Sequence, residues 1–387
     1  MGAAHAIAVV APRHAVGPAI GGAETLLRAL ALRLAAAGRK VRLLTTCATD
    51  HVSWENVRTP GVVRDGPLEV EHFPVAPRDA ARFHEIQREI SRGARLPREL
   101  EEQWLANGVR SPALCEHLRT GGYDRVLAGP YLFGLTVEVA RAVPDRLLLV
   151  PCLHDEPFAY TAPIREMFAT VRGCLFNSGP EQELAERLYA LERRRGRVVG
   201  MGIEPFETDP SAFAARRGLE APFLLYSGRR EAGKGTPLLI EYVRTFRERV
   251  GRDVRLVLTG SGPVDPAPFV LDLGVVEEQV KREAMAAATV FAHPSCLESL
   301  GIVVLESFMA RTPALVNAGS EVLRWQCARS GGGLWFRHYP DFEACLERLL
   351  ADEPLRRRLG AHGRRYVEME YSWTAVERRL WEALEAL

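Results

Sequence analysis

Short apolar runs alternating with amphipathic stretches, twice over, restrict this chain more than any other feature does. A run of apolar residues bounded by turn formers is long enough for a strand and too short for a helix. Without polar alternation it suits a strand covered on both faces. The stretches between these runs repeat their apolar residues at helical spacing, as crossover helices do. In the first half the pattern predicts strands over 6–10, 41–45, 125–127, 147–151 and 174–176, helices over 23–37 and 180–194, and a close near Val198. In the second half it predicts strands over 223–226, 254–259, 289–292 and 313–316, with helices over 235–250 and 277–287.

The fold class is therefore α/β, with two Rossmann-like domains over 1–200 and 205–370 facing across a cleft, where strand carboxyl ends bind ligands. Gly200, Gly202, Pro205 and the polar residues up to Pro222 read as the linker between them. A last helix over 372–387, capped by Ser372 or Thr374, carries an apolar stripe through Val376, Leu380 and Leu384 and needs a partner. Residues 50–122 break the alternation: Pro, Arg and Glu dominate, and Trp54 and Trp104 stand among polar neighbours. The segment reads as loops and exposed helices inserted in the first domain, a kind of insertion that often carries specificity.

Composition narrows the function classes. The 387 residues, 47% hydrophobic and 26% charged, are enough for a core in each of two domains. Fifty basic against 49 acidic residues leave a net charge of +1, so no global field draws nucleic acid, and membrane contact is at most peripheral. The seven cysteines are scattered with no C-x-x-C pair, which reads as reduced core thiols and a cytoplasmic protein. Neither a secretory leader nor a membrane span is expected, and Met1-Gly2 lacks the hydroxyl residue of an acylation site, since Ala6 stands there. The ten histidines show no metal-ligand spacing, so no metal or other cofactor is expected.

The most informative stretch runs from Phe291 through His293-Pro294-Ser295 to Glu298, Ser299, Leu300, Gly301 and Glu306. A strand ends in a Pro-Ser turn and a helix is predicted to begin near Leu300, which aims the backbone N–H groups of residues 299–301 at an anion. Glu298 precedes the helix, and Glu306 lies among Val303, Val304, Leu305, Phe308 and Met309, where an unpaired charge is costly. Each carboxylate is either a ligand contact for sugar hydroxyls or a buried structural group. A second turn, Gly228-Arg229-Arg230-Glu231-Ala232-Gly233-Lys234-Gly235, follows a strand and brings cations to its carboxyl end. It is either a diphosphate site or a solvated basic turn, and Lys234 is one of only three lysines against 47 arginines.

The first strand leads into Gly17, Gly21 and Gly22, and the G-x-G-x-x-G dinucleotide fingerprint is missing, so this loop is either a tight turn or a ligand contact. The Gly260-Ser261-Gly262 turn is weaker still. His154, with Asp155 and Glu156, ends the strand over 147–151 and is either a satisfied loop histidine or a donor to a sugar oxygen.

Taken together, these motifs resemble the retaining GT-B glycosyltransferases of the family 4 (group 1) kind. The residues that carry the resemblance are Gly21-Gly22, His154, the turn from Gly228-Arg229 to Lys234-Gly235, the stretch Val270 to Val275, the Glu298 to Glu306 motif and the Ser372-Trp373 helix. The resemblance implies transfer of a hexose-type sugar from a nucleotide diphosphate sugar to a hydroxyl acceptor, a glycan, glycolipid or small molecule, with retention and without a metal. It implies that Arg229 and Lys234 hold the diphosphate with backbone N–H groups of Ser299, Leu300 and Gly301. Glu306 would bind the ribose, Glu298 the transferred sugar and Val275 the base, while the acceptor would approach Gly22 and His154. The last helix would cross back to the first domain, and the leaving diphosphate would act as base. Asn317-Ala318-Gly319 departs from the family's double-glycine turn. An epimerase or phosphorylase of the same fold, or a silent nucleotide-sugar-binding protein, is the alternative reading.

Overall fold

The computed structural model describes residues 6–17, 21–219, 222–230 and 232–387. Met1 and Gly2, Pro18 to Ile20 of the first glycine loop, and Glu231 of the basic turn lie outside the described residues. The chain divides into two compact units, one formed by Met1–Met201 with Glu377–Leu387 and the other by Gly202–Val376.

The N-terminal unit contains strands β1 (Ala6–Val10), β2 (Lys40–Thr46), β3 (Gly61–Asp65), β4 (Leu68–Phe73), β5 (Arg125–Ala128), β6 (Leu147–Leu149), β7 (Gly173–Phe176) and β8 (Gly196–Val198). They form one sheet in the order β3-β4-β2-β1-β5-β6-β7-β8, parallel except for the β3–β4 pair. Ala8, Leu43, Leu127 and Leu148 are wholly buried, as expected of strands covered on both faces. The C-terminal unit contains β9 (Phe223–Ser227), β10 (Arg255–Thr259), β11 (Val270–Asp272), β12 (Val290–His293), β13 (Ala314–Asn317) and β14 (Gly333–Phe336). All are parallel, in the order β11-β10-β9-β12-β13-β14.

The segment 50–122 corrects the sequence expectation. It supplies the β3–β4 hairpin, whose β4 strand alternates Leu68, Val70 and His72 inward, and the helices Ala80–Ser91, Arg98–Ala106 and Pro112–Thr120. Trp104 is 1% exposed and stacks on Phe158 at 5.3 Å, and buried Trp54 meets Phe133 edge-on at 5.5 Å. Each helix here buries a narrow stripe, such as Ile86 and Ile90, so the polar face dominates its composition and conceals the packing. The stretch read as a linker likewise holds a helix, Pro210–Arg217, with Phe213 buried near Phe223.

The last helix, Trp373–Ala386, is capped by Ser372, whose Oγ accepts from the Ala375 N–H at 3.4 Å. Its buried stripe is Val376, Leu380, Ala383 and Leu387, while Leu384 is only half-buried, because 3.6 residues per turn favours i+7 over i+8 here. Within the N-terminal unit, Arg379 donates to the Val199 carbonyl at 3.1 Å and Arg172 to that of Leu387.

Candidate functional site

In the C-terminal unit the strand order turns between β9 and β12. β9 connects onward to β10 on one side and β12 to β13 on the other, so the carboxyl ends of this pair are the topological switch point of the sheet. The loop after β9 carries Arg229, Arg230 and, on the short turn Ala232–Lys234, the lysine. The loop after β12 runs from Pro294 to Gly301 and carries Glu298. Gly235, with φ +72°, lets the two loops touch: a Cβ there would stand 2.8 Å from the Pro294 carbonyl oxygen.

That contact brings Lys234 to Glu298. The ammonium donates to Glu298 Oε1 at 2.6 Å, and His293 Nε2 meets the same oxygen at 3.1 Å. Burial alone would raise the Glu298 pKa, but the Lys234 charge and the His293 bond outweigh it and hold the carboxyl far below the usual range. The His293 ring is buried between Tyr226, stacked at 6.0 Å, and Phe291, stacked at 6.1 Å. Asn317, at the departure from the double-glycine turn, fastens this loop: its amide donates to the Pro294 carbonyl at 3.1 Å and its oxygen accepts from the Gly319 N–H at 2.8 Å.

The two adjacent arginines separate. Arg230 is buried, pairs with Asp272 and donates to the Gly260 carbonyl at 2.7 Å, so it clamps the loops after β10 and β11. Arg229 is exposed on the same loop, and its carbonyl accepts from the buried Tyr226 hydroxyl at 2.5 Å. The Gly260-Ser261-Gly262 turn continues the ladder, since the Arg230 N–H donates to the Ser261 carbonyl at 2.7 Å and the Gly260 N–H to the Gly274 carbonyl at 2.7 Å. Val275, 52% exposed, follows that last contact.

The helix after Glu298 spans Ile302–Met309, so it starts later than the sequence suggests, and Ser299, Leu300 and Gly301 form the loop leading into it. Gly301 adopts φ +76°, a conformation that glycine tolerates, and its carbonyl accepts from Val304 at 2.9 Å. Glu306 does not join the Lys234–Glu298 pair; both its oxygens take bonds from Lys281 at 3.0 Å, and Lys281 also reaches Glu278 at 2.9 Å. Burial works against the Lys281 charge, and the two carboxylates override it, so its pKa is raised.

In the N-terminal unit, the loop after β1 ends at Gly21, whose N–H donates to Glu24 Oε2 at 3.0 Å at the start of the helix Gly22–Ala36. Glu24 is held by Arg13 through two bonds of 2.6 and 2.9 Å, with both side chains buried. His154, half-buried after β6, places Nδ1 3.3 Å from Glu156 Oε1, which also accepts from the Tyr131 hydroxyl at 2.7 Å.

Three contributors escaped the sequence reading: His293, Asn317 and Lys281. Lysine rarity, which drew notice to Lys234, applied equally to Lys281. His293 lies inside the most informative stretch and Asn317 at the departure from the double-glycine turn, but nothing local names the partners that give them a role. Among the described residues no group of three or more His, Cys, Asp or Glu side chains is arranged to hold a metal ion, and no helix is long and apolar enough to cross a membrane.

Comparison with known proteins relates this architecture, two α/β units with a cation–carboxylate pair at the switch point of the second, to glycosyltransferases. Residues 221–352 match the family described as glycosyl transferases group 1. D-inositol 3-phosphate glycosyltransferases of Xylanimonas cellulosilytica and Catenulispora acidiphila are each 28% identical to the chain. The first match covers 58% of this chain and 59% of that protein, the second 87% and 84%. Sucrose-phosphate synthase of Thermosynechococcus elongatus shares the fold with a TM-score of 0.74 at 19% identity, covering 99% of both chains. Anabaena HepE in complex with UDP and glucose does so with a TM-score of 0.72 at 16% identity, covering 99% of this chain and 100% of that one. Over residues 221–352 the chain is similar to the group 1 glycosyltransferases, and it has the GT-B fold.

Proposed function

We propose that the protein moves a hexose-type sugar from a nucleotide diphosphate sugar to an acceptor hydroxyl, with retention of configuration and without a metal. The observation that carries this reading is the Lys234–Glu298 pair at the switch point, with exposed Arg229 on the same loop as Lys234. In it Arg229, Lys234 and the N–H groups of Ser299, Leu300 and Gly301 bind the diphosphate, Glu298 the sugar, Glu306 the ribose hydroxyls and Val275 the base. Gly21 and Gly22 contribute to donor binding, and the acceptor approaches Gly22 and His154, with His154 oriented by Glu156. The acceptor oxygen bonds to the anomeric carbon as the bond from that carbon to the phosphate oxygen breaks, and the acceptor proton passes to the leaving diphosphate. Fixed cations that meet charge developing on the diphosphate act most strongly in the transition state. The HepE complex with UDP and glucose supports a nucleotide-sugar donor.

A thermal-shift panel of UDP-, GDP-, ADP- and dTDP-sugars, each with and without a chelator, tests the reading. The expected result is a rise in Tm with one nucleotide, unchanged by chelator, since a ligand bound only by the native state stabilises it by mass action. No shift from any of them, or product of inverted anomeric configuration in a subsequent NMR assay, overturns it.

A further inference from the structure

We propose that His293 is the positioning residue for Glu298, holding the carboxylate ionised and aimed at the donor sugar once the incoming diphosphate draws Lys234 away. This rests on the reading above, in which Glu298 meets the sugar and Lys234 the diphosphate. The starting observation is that one oxygen, Glu298 Oε1, takes both bonds, from Lys234 at 2.6 Å and from His293 at 3.1 Å. A phosphate competes for only one of these donors. Lys234 is a point charge on a flexible four-carbon stem, half-buried at the end of a short turn, and can reach either partner. His293 cannot follow, because it ends β12, is 3% exposed and is flanked by two aromatic rings.

The protonation pattern agrees. An ionised carboxylate only accepts, so Nε2 carries the proton, and Nδ1 is then buried with no hydrogen-bond partner among the described residues. A residue chosen only for packing at this place would be aromatic, continuing the stack from Tyr226 to Phe291 without an unpaired nitrogen. The imidazole accepts that cost and in return keeps a fixed N–H on Oε1. When Lys234 leaves, this N–H is the remaining support for a carboxylate in a largely water-excluded place.

The test compares His293→Phe, which keeps the ring stack and removes the donor, with His293→Gln, whose terminal amide restores an N–H near the Nε2 position. Hydrolysis of UDP-glucose and affinity for UDP are measured, or the GDP, ADP or dTDP pair that the shift panel selects. The expected result for His293→Phe is a kcat lower by about tenfold to a hundredfold, as for loss of a hydrogen bond to a charged group. Its affinity for the free nucleoside diphosphate should stay at the wild-type value, and His293→Gln should recover most of kcat. If the Phe variant does not fold, His293→Asn, whose shorter amide cannot reach Glu298, takes its place with the same expectation. Wild-type kcat in the donor-less variant, equal impairment in the Gln variant, or a matching loss of diphosphate affinity overturns the inference. Glu298→Gln run in parallel separates the two levels. If it is impaired while His293→Phe is normal, only this inference falls; if it keeps wild-type kcat, the donor-site reading falls with it.

Discussion

Two buried or half-buried carboxylates of the N-terminal unit and the two glutamates of the C-terminal candidate site are held by different cations. In the N-terminal unit, Glu24 is gripped by Arg13 through two bonds, and Asp65 by Arg28 through bonds of 2.5 and 2.7 Å, with His14 adding a third contact at 3.1 Å. In the C-terminal unit, Glu298 and Glu306 are held by Lys234 and Lys281, two of the three lysines in a chain with 47 arginines. The third, Lys40, is exposed at the start of β2. An arginine fork matches both carboxylate oxygens and fixes a geometry, whereas an ammonium is a compact charge whose partner can be exchanged. On the proposed function, the difference separates carboxylates that the fold locks for its own shape from those left able to change partner when a ligand arrives.

The comparison can be broken at several points. The largest effect is expected for Arg13→Ala, which strands a buried charge and should cost the N-terminal unit about 3 to 5 kcal/mol in urea unfolding. A loss below about 1 kcal/mol would make that pair no firmer than a surface one. Next, Glu298→Gln and Arg229→Ala should each lower kcat by about a hundredfold to a thousandfold, since on the proposed function both act on charge in the transition state, and the exposed Arg229 variant should keep a nearly unchanged Tm. If Tm falls and kcat holds, the C-terminal pair is structural after all. Lys234→Arg sharpens the contrast: a fork should hold Glu298 more tightly and reduce kcat by about tenfold, the scale of one charge-assisted hydrogen bond. Turnover equal to wild type would show that exchangeability is irrelevant.

The last test concerns acid. Burial, aided by the Arg58 and His14 charges, lowers the His72 pKa from 6.5 to about 4. The unfolded chain therefore binds a proton that the folded N-terminal unit resists, so this contribution is complete above pH 6.5 and is lost as pH falls towards about 4. His72→Gln should flatten the fall of Tm across that window; an unchanged acid limb would place the loss in other groups.

Most strands and helices could be read from the chain because their signals are local. The helix Thr236–Val250 and strands β9, β10, β12 and β13 fall within a residue or two of the hydrophobic pattern, since burial on both faces leaves a contiguous apolar run. The exposed edge strand β3 has no buried face to pattern it, and β11 is three residues long and only partly buried, so neither was foreseen. In the site, residue types at strand ends were legible and their partners were not. Arg229 and Arg230 are indistinguishable as neighbours in a turn; only the position of Asp272, 42 residues on, makes the second a clamp.

Local chemistry thus settled the α/β class, the glycine turns and the positions of Lys234, Glu298 and Glu306, because period, turn preference and capping act over a few residues. Partner choice belonged to the tertiary structure. Lys234 and Glu298 are 64 residues apart in the chain, and Lys281 and Glu306 are 25 apart. The strand order that puts β9 beside β12, and a glycine at 235 that lets their loops meet, bring the first pair within 2.6 Å. Such contacts depend on loop closure and packing across the whole sheet, which no short window of sequence encodes.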